Sequence, residues 1–155
     1  MRQAHTHDDL EVNLCLEGRA AYLVDDRRVD LEPGTLLFLH RGEEHILLDE
    51  SPDFTMWIAV WRLETVQTAV GDGLDADAAA GRPSFLELRR LAAPARLPLS
   101  RLFTDVAACE GPARAAGCRY LLWRCRSALA AAADLETDSV HAAVAQAARL
   151  LHDDP

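Results

Sequence analysis

Between residues 8 and 62 the chain is a succession of short alternating segments cut by turn residues, and this spacing restricts the fold more than any other feature. Leu10, Val12, Leu14 and Leu16 alternate with Asp9, Glu11, Asn13 and Cys15, and the segment stops at Gly18, the period-two signature of a strand. Residues 20–24 and 28–31 flank Asp25-Asp26-Arg27, where aspartates tolerate the backbone angles of a tight turn. Pro33-Gly34 punctuates before residues 35–39, and Arg41-Gly42-Glu43-Glu44 turns the chain into residues 45–48. Residues 54–61 are apolar on both faces apart from Thr55, so a strand covered on both sides is expected there. Strands this short and closely spaced predict an antiparallel sandwich or barrel.

From Leu63 the character becomes alanine-rich and helical, which divides the chain into a β core over 1–62, a connecting region over 63–97 and a helical region over 98–155. Residues 84–91 fit a last strand or a helix equally. Pro98 suits a helix start, with Leu99, Leu102, Phe103 and Val106 on one stripe. After Gly111-Pro112, Cys118, Leu121, Leu122, Cys125 and Leu129 fall on one face of a second helix, with Trp123 at its flank. That face serves intramolecular core, a contact with another subunit, or both. Thr137-Asp138-Ser139 are capping residues for a final helix carrying Val140, Val144, Ala147 and Leu151 on one side.

Composition removes several function classes. The 155 residues suffice for one well-packed domain, with or without a smaller appendage. A net charge of -9 has the wrong sign for a phosphate backbone, so no nucleic-acid contact is expected of this chain itself. All basic residues are arginine, a coding bias and not a sign of phosphate recognition. Neither a signal-peptide core nor a window of transmembrane length is present, so no membrane contact and a cytoplasmic address are expected. Cys15, Cys109, Cys118 and Cys125 form no C-x-x-C pair, which favours free thiols over disulfides or a cysteine zinc site.

The chemistry concentrates at the amino-terminal end. On a continuous extended strand His5, His7 and Glu11 share one face, and His45 follows far enough along to fold back opposite them. Three imidazoles and a carboxylate suit zinc, iron, manganese or nickel and leave positions open for water or substrate. The alternative is that this odd-numbered face is the solvated side of a half-exposed strand whose even face is core.

His5-Thr6-His7-Asp8-Asp9-Leu10-Glu11, followed by Gly18, resembles the first cupin motif, G-x5-H-x-H-x3,4-E-x6-G, from its first histidine onward. Gly34, Gly42, His45 and Asp49 are similar in spacing to the second, G-x5-P-x-G-x2-H-x3-N, with His40 in place of proline and Asp49 in place of asparagine. Together with the helices that follow and the terminal Val-Ala-Gln-Ala-Ala-Arg-Leu-Leu-His-Asp-Asp-Pro, the chain resembles the amino-terminal half of an AraC-family transcriptional regulator.

The resemblance implies a mainly β fold with α, a cupin-type antiparallel β-barrel (jelly roll) followed by a helical dimerisation region. It implies a small-molecule effector in the barrel, a homodimer, and DNA contact through a carboxy-terminal helix-turn-helix domain that this sequence lacks. Metal positions carried over are His5, His7, Glu11 and His45. Barrel-lining effector contacts are expected from Asn13, Tyr22, Phe38, His40, Met56 and Trp57, and dimerisation contacts from Leu121, Leu122, Trp123, Cys125 and Leu129. The alternative is a metal-dependent cupin enzyme of dioxygenase or isomerase type.

Overall fold

The structure, a computed structural model, describes residues 3–71, 73–74, 86–134 and 138–139. Six strands come first: β1 (Leu10–Glu17), β2 (Ala20–Val24), β3 (Arg27–Leu31), β4 (Thr35–Leu39), β5 (His45–Glu50) and β6 (Thr55–Trp61). Helix α1 (Leu63–Gly71), strand β7 (Glu87–Arg90), helices α2 (Ala93–Ala108) and α3 (Gly111–Ala131), and the two-residue strands β8 (Ala133–Asp134) and β9 (Asp138–Ser139) follow.

All the pairings are antiparallel, in one sheet ordered β6-β1-β4-β7-β8 and a second ordered β5-β2-β3-β9. The fold is thus mainly β with three helices, of the cupin or jelly-roll kind expected, but the two sheets are not closed into a barrel. They meet through an isolated backbone bridge between His5 and His45.

Two apolar layers hold the molecule together. Between the sheets, Cys15, Tyr22, Val24, Val29, Leu31, Leu37, Leu39 and Leu88 form an inner layer. On the other side of the five-stranded sheet, Leu10, Val12, Leu14, Leu36, Phe38 and Trp61 pack against Val66 of α1, Phe103 of α2 and Leu122 of α3. Both faces of β1 are therefore covered, so its odd-numbered residues Glu11, Asn13 and Cys15 are not solvated, whereas His5, ahead of the strand, is exposed. The even residues look toward the helices, and the odd ones look between the sheets.

The tight turn after β2 places Asp25 at φ 52°, the left-handed region that aspartate tolerates. Gly34 is required at its turn: φ is 95°, and a Cβ there would lie 2.8 Å from the Leu91 carbonyl oxygen.

The structure refines several of these expectations. Within 63–97, where a connection and a possible last strand were expected, β7 lies between β4 and β8. Helix α2 starts at Ala93, because Pro94 already supplies the first-turn proline, and Pro98 lies inside the helix. β6 is an edge strand whose inward residues Ile58 and Val60 remain 49% and 53% exposed, so it is not covered on both sides. Asp138 and Ser139, expected before a helix, pair as strand residues with Arg28 and Arg27. The final helix expected over 139–152 lies, beyond Ser139, outside the described residues.

Candidate functional site

The chain preceding β1 runs beside the start of β5. His5 N–H donates to the His45 carbonyl at 3.2 Å, His45 N–H donates back to the His5 carbonyl at 3.0 Å, and Gly42 N–H donates to His7 O at 3.1 Å. Because β1 begins only at Leu10, after a bend at Asp8 and Asp9, the parity of one continuous strand is not what gathers these residues. Cross-strand pairing gathers them.

The ring centroids of His5 and His45 are 4.3 Å apart, those of His7 and His45 5.1 Å, and those of His5 and His7 6.1 Å. One ring nitrogen from each of the three lies within 4.8 Å of the others. Each Nδ1 faces a main-chain carbonyl: His5 that of Gln3 at 3.3 Å, His7 that of Asp9 at 2.9 Å, His45 that of Glu43 at 3.0 Å.

A proton on each Nδ1 satisfies those contacts and makes each Nε2 a lone-pair donor. His7 Nε2 and His45 Nε2 are buried and lack a hydrogen-bond partner. Burial pushes His45 below its ordinary value, against the raising effects of the Glu43 carbonyl and the Glu11 carboxylate, so the ring is held neutral.

Glu11, buried, places Oε2 3.3 Å from His7 Nε2 without forming a hydrogen bond to it, and its Oε1 accepts from Asn13 Nδ2 at 2.8 Å. The carboxylate thus stands beside the histidine trio, outside the tight group of three. Asn13 Oδ1 is a further buried acceptor without a partner.

The residues expected to line the barrel separate by side of the sheet. Asn13 follows the odd face of β1, and Tyr22 and Met56 belong to the inner layer. Phe38 and Trp57 do not: both lie in the outer layer, Trp57 stacked on Phe103 at 5.9 Å. His40 is buried beside Phe38, at 6.5 Å between ring centroids, and donates from Nε2 to Glu87 Oε2 at 2.7 Å. The physical reason is the pleat, since Val12 pairs with Phe38 and Leu14 with Trp57, on the face turned to the helices.

Ile58 and Val60, opposite Asn13 and Glu11 in register, supply the apolar surface next to the polar pair. They escape sequence reasoning because β6 is apolar on both faces and only its register reveals which face is inward. Glu87 and Arg126 are missed as well. Arg126 Nη1 donates to both carboxylate oxygens of Glu87, at 2.8 and 2.6 Å, and its guanidinium carbon lies 5.4 Å from the Phe38 ring centroid. A lone acid between Leu86 and Leu88 was the available signal.

Of the residues expected at a dimer contact, Leu121, Leu122, Cys125 and Leu129 are buried against the sheet, and Trp123 is 46% exposed. The apolar stripe of α3 is intramolecular core. On the outer side of the helix pair, Leu97 and Tyr120 stand 66% and 53% exposed along a groove of about 860 Å³ between α2 and α3. All four cysteines are free; burial raises the Cys15 thiol to about 11 and that of Cys125 to about 12, so neither is a ready thiolate. Among the described residues no helix is long and apolar enough to cross a membrane.

The AraC-like ligand binding domain family matches residues 1–122. No curated protein is similar enough in sequence to match. Among solved structures, the AraC-like transcriptional activator CuxR is similar at 17% identity and a TM-score of 0.50, over 94% of this chain and 50% of that one. That likeness concerns the fold, and this chain spans half the length of the activator. The family is one of regulatory ligand-binding domains, which decides against the enzyme alternative. By a match over most of its length, the chain belongs to the AraC-like ligand binding domain family.

Proposed function

We propose that the chain is the effector-sensing and dimerisation part of an AraC-type transcription regulator, with a divalent transition metal held by His5, His7 and His45 beside Glu11. The observation that carries the metal is the set of three Nδ1–carbonyl contacts, beside which the buried Nε2 atoms of His7 and His45 have no hydrogen-bond partner. Ligating histidines are held in this way by outer partners. Imidazole-rich donors suit zinc, iron or nickel better than manganese, which prefers oxygen. A bound ion supplies a Lewis-acidic anchor for an oxygen or nitrogen donor of the effector.

The effector rests on the inner sheet face beside the cluster, where Asn13 Oδ1 calls for a hydrogen-bond donor and Tyr22, Met56, Ile58 and Val60 offer apolar surface. Apolar walls with few convergent polar groups are the usual form of a small-molecule site. Dimerisation uses the outer face of α2 and α3, where Leu97, Tyr120 and Trp123 are exposed. DNA is contacted by a separate domain of the full regulator, in keeping with the net charge of -9 here.

Titration of metal-free protein with Co(II) tests the reading. One ion per chain is expected, with an absorption spectrum of nitrogen-rich coordination that Zn(II) displaces. Binding no tighter than that of a variant lacking all three histidines overturns the metal assignment.

A further inference from the structure

The geometry points to a hydrogen-bonded relay, His45–Glu43–His40–Glu87–Arg126, that ties the histidine cluster to helix α3; its role as the route by which cluster occupancy reaches the helix pair rests on the function proposed above. At one end His45 Nδ1 donates to the Glu43 carbonyl at 3.0 Å. The Glu43 carboxylate accepts from His40 N–H at 2.7 Å, and Glu43 N–H donates to His40 O at 3.1 Å, so the two residues clasp each other across the turn. The His40 ring then crosses to the other side of the sheet, where Nε2 donates to Glu87 Oε2 at 2.7 Å. Glu87, on β7, receives Arg126 of α3 through both oxygens.

His45, Glu43, His40 and Glu87 are all buried. Phe38 packs against both the His40 ring and the Arg126 guanidinium, which fixes the far end as one unit. Buried polar networks of this kind move as a body, because a broken link strands a charge or donor away from water. A reorientation of His45 changes the direction of the Glu43 carbonyl it holds. The clasp passes that change to His40 and, through Glu87, to α3, whose residues Tyr120 and Trp123 face outward. His5 meets His45 through main-chain hydrogen bonds, which His5→Ala keeps, and through a ring contact at 4.3 Å, but its side chain donates or accepts no hydrogen bond within this path, its Nδ1 facing the Gln3 carbonyl.

Amide hydrogen exchange of the whole chain, without added metal, tests the relay. His45→Ala is expected to speed exchange in the α3 segment around Arg126 by about tenfold or more, since exchange from local opening reads the free energy of that opening. His5→Ala is expected to leave that segment unchanged. In a Glu87→Gln background the effect of His45→Ala is expected to shrink, because changes within one network do not multiply. Should His45→Ala fail to fold, Glu43→Ala enters the path one link later and is read the same way. Unchanged α3 exchange, an equal effect from His5→Ala, or independent multiplication of the His45→Ala and Glu87→Gln effects overturns the relay. Since the readout needs no ion, failure of Co(II) to bind is a separate result that bears on the metal alone.

Discussion

His45 turns Nδ1 onto the carbonyl of Glu43, two residues back along its own chain, at 3.0 Å. The contact fixes the tautomer and leaves Nε2, buried and without a partner, beside the rings of His5 and His7. A neutral imidazole in this state is a ligand in waiting.

Metal affinity should therefore rank the cluster. His45→Ala is expected to weaken Co(II) binding by at least about 100-fold, given that even the outer partners of ligating histidines are worth about 10–100-fold. Glu11→Gln should cost less, about 10-fold, because the carboxylate stands beside His7 and outside the group of three. Competition titration against a chromophoric chelator measures both; a Glu11→Gln loss equal to that of His45→Ala would make the carboxylate a full ligand.

The acid limb of stability should belong in part to Glu87. Burial alone would raise its carboxyl, but the hydrogen bond from His40 and the charge of Arg126 win, and the group is held below the ordinary carboxylate value. The unfolded chain then takes up the proton first as pH falls, so this contribution is complete above about pH 4.5 and is lost below it. Denaturant midpoints measured from pH 6 to pH 3 should fall less steeply in Glu87→Gln than in the parent chain. Parallel curves would show that another group sets the slope.

Arg126→Met removes the cation and leaves the Glu87 carboxylate buried with His40 alone. Breaking such a pair from one side costs about 3 kcal/mol. Glu87→Gln together with Arg126→Met should cost less than the two single changes added, as residues in one network couple. Urea unfolding of the three variants gives the cycle, and strict additivity would mean that the two side chains do not support each other.

How far this was legible beforehand follows from particular residues. Alternation in β1, the Asp25 turn and Gly34 fixed the strand order along the chain, and the H-x-H and His45 spacings marked the cluster correctly as a meeting of three imidazoles. Alternation does not say which face looks where when both are covered. Leu10, Val12 and Leu14 pack under helices that begin no earlier than Leu63, far away in sequence, and the same ambiguity put Phe38 and Trp57 on the wrong side of the sheet. The stripe on α3 was visible, yet an apolar face does not declare whether it meets its own sheet or another chain. Glu87 and Arg126 lie 39 residues apart, and nothing local announces their pairing.

That last ambiguity gives the sharpest contrast between two neighbouring side chains of α3. Leu122 is fully buried beneath the five-stranded sheet, and Leu122→Ala should lower stability by about 2–5 kcal/mol through lost burial and the cavity left behind. Trp123, next in sequence, projects outward and is 46% exposed. Trp123→Ala should change stability of the monomer little, while combined with Tyr120→Ala it should weaken self-association by at least about 10-fold if the outer face of α2 and α3 is the dimer contact, since exposed aromatics dominate such interfaces. Sedimentation equilibrium alongside thermal unfolding separates the two effects. Association that survives the double change intact would move the contact to another face of the molecule, for which the exposed edge of β6 is the next surface to test.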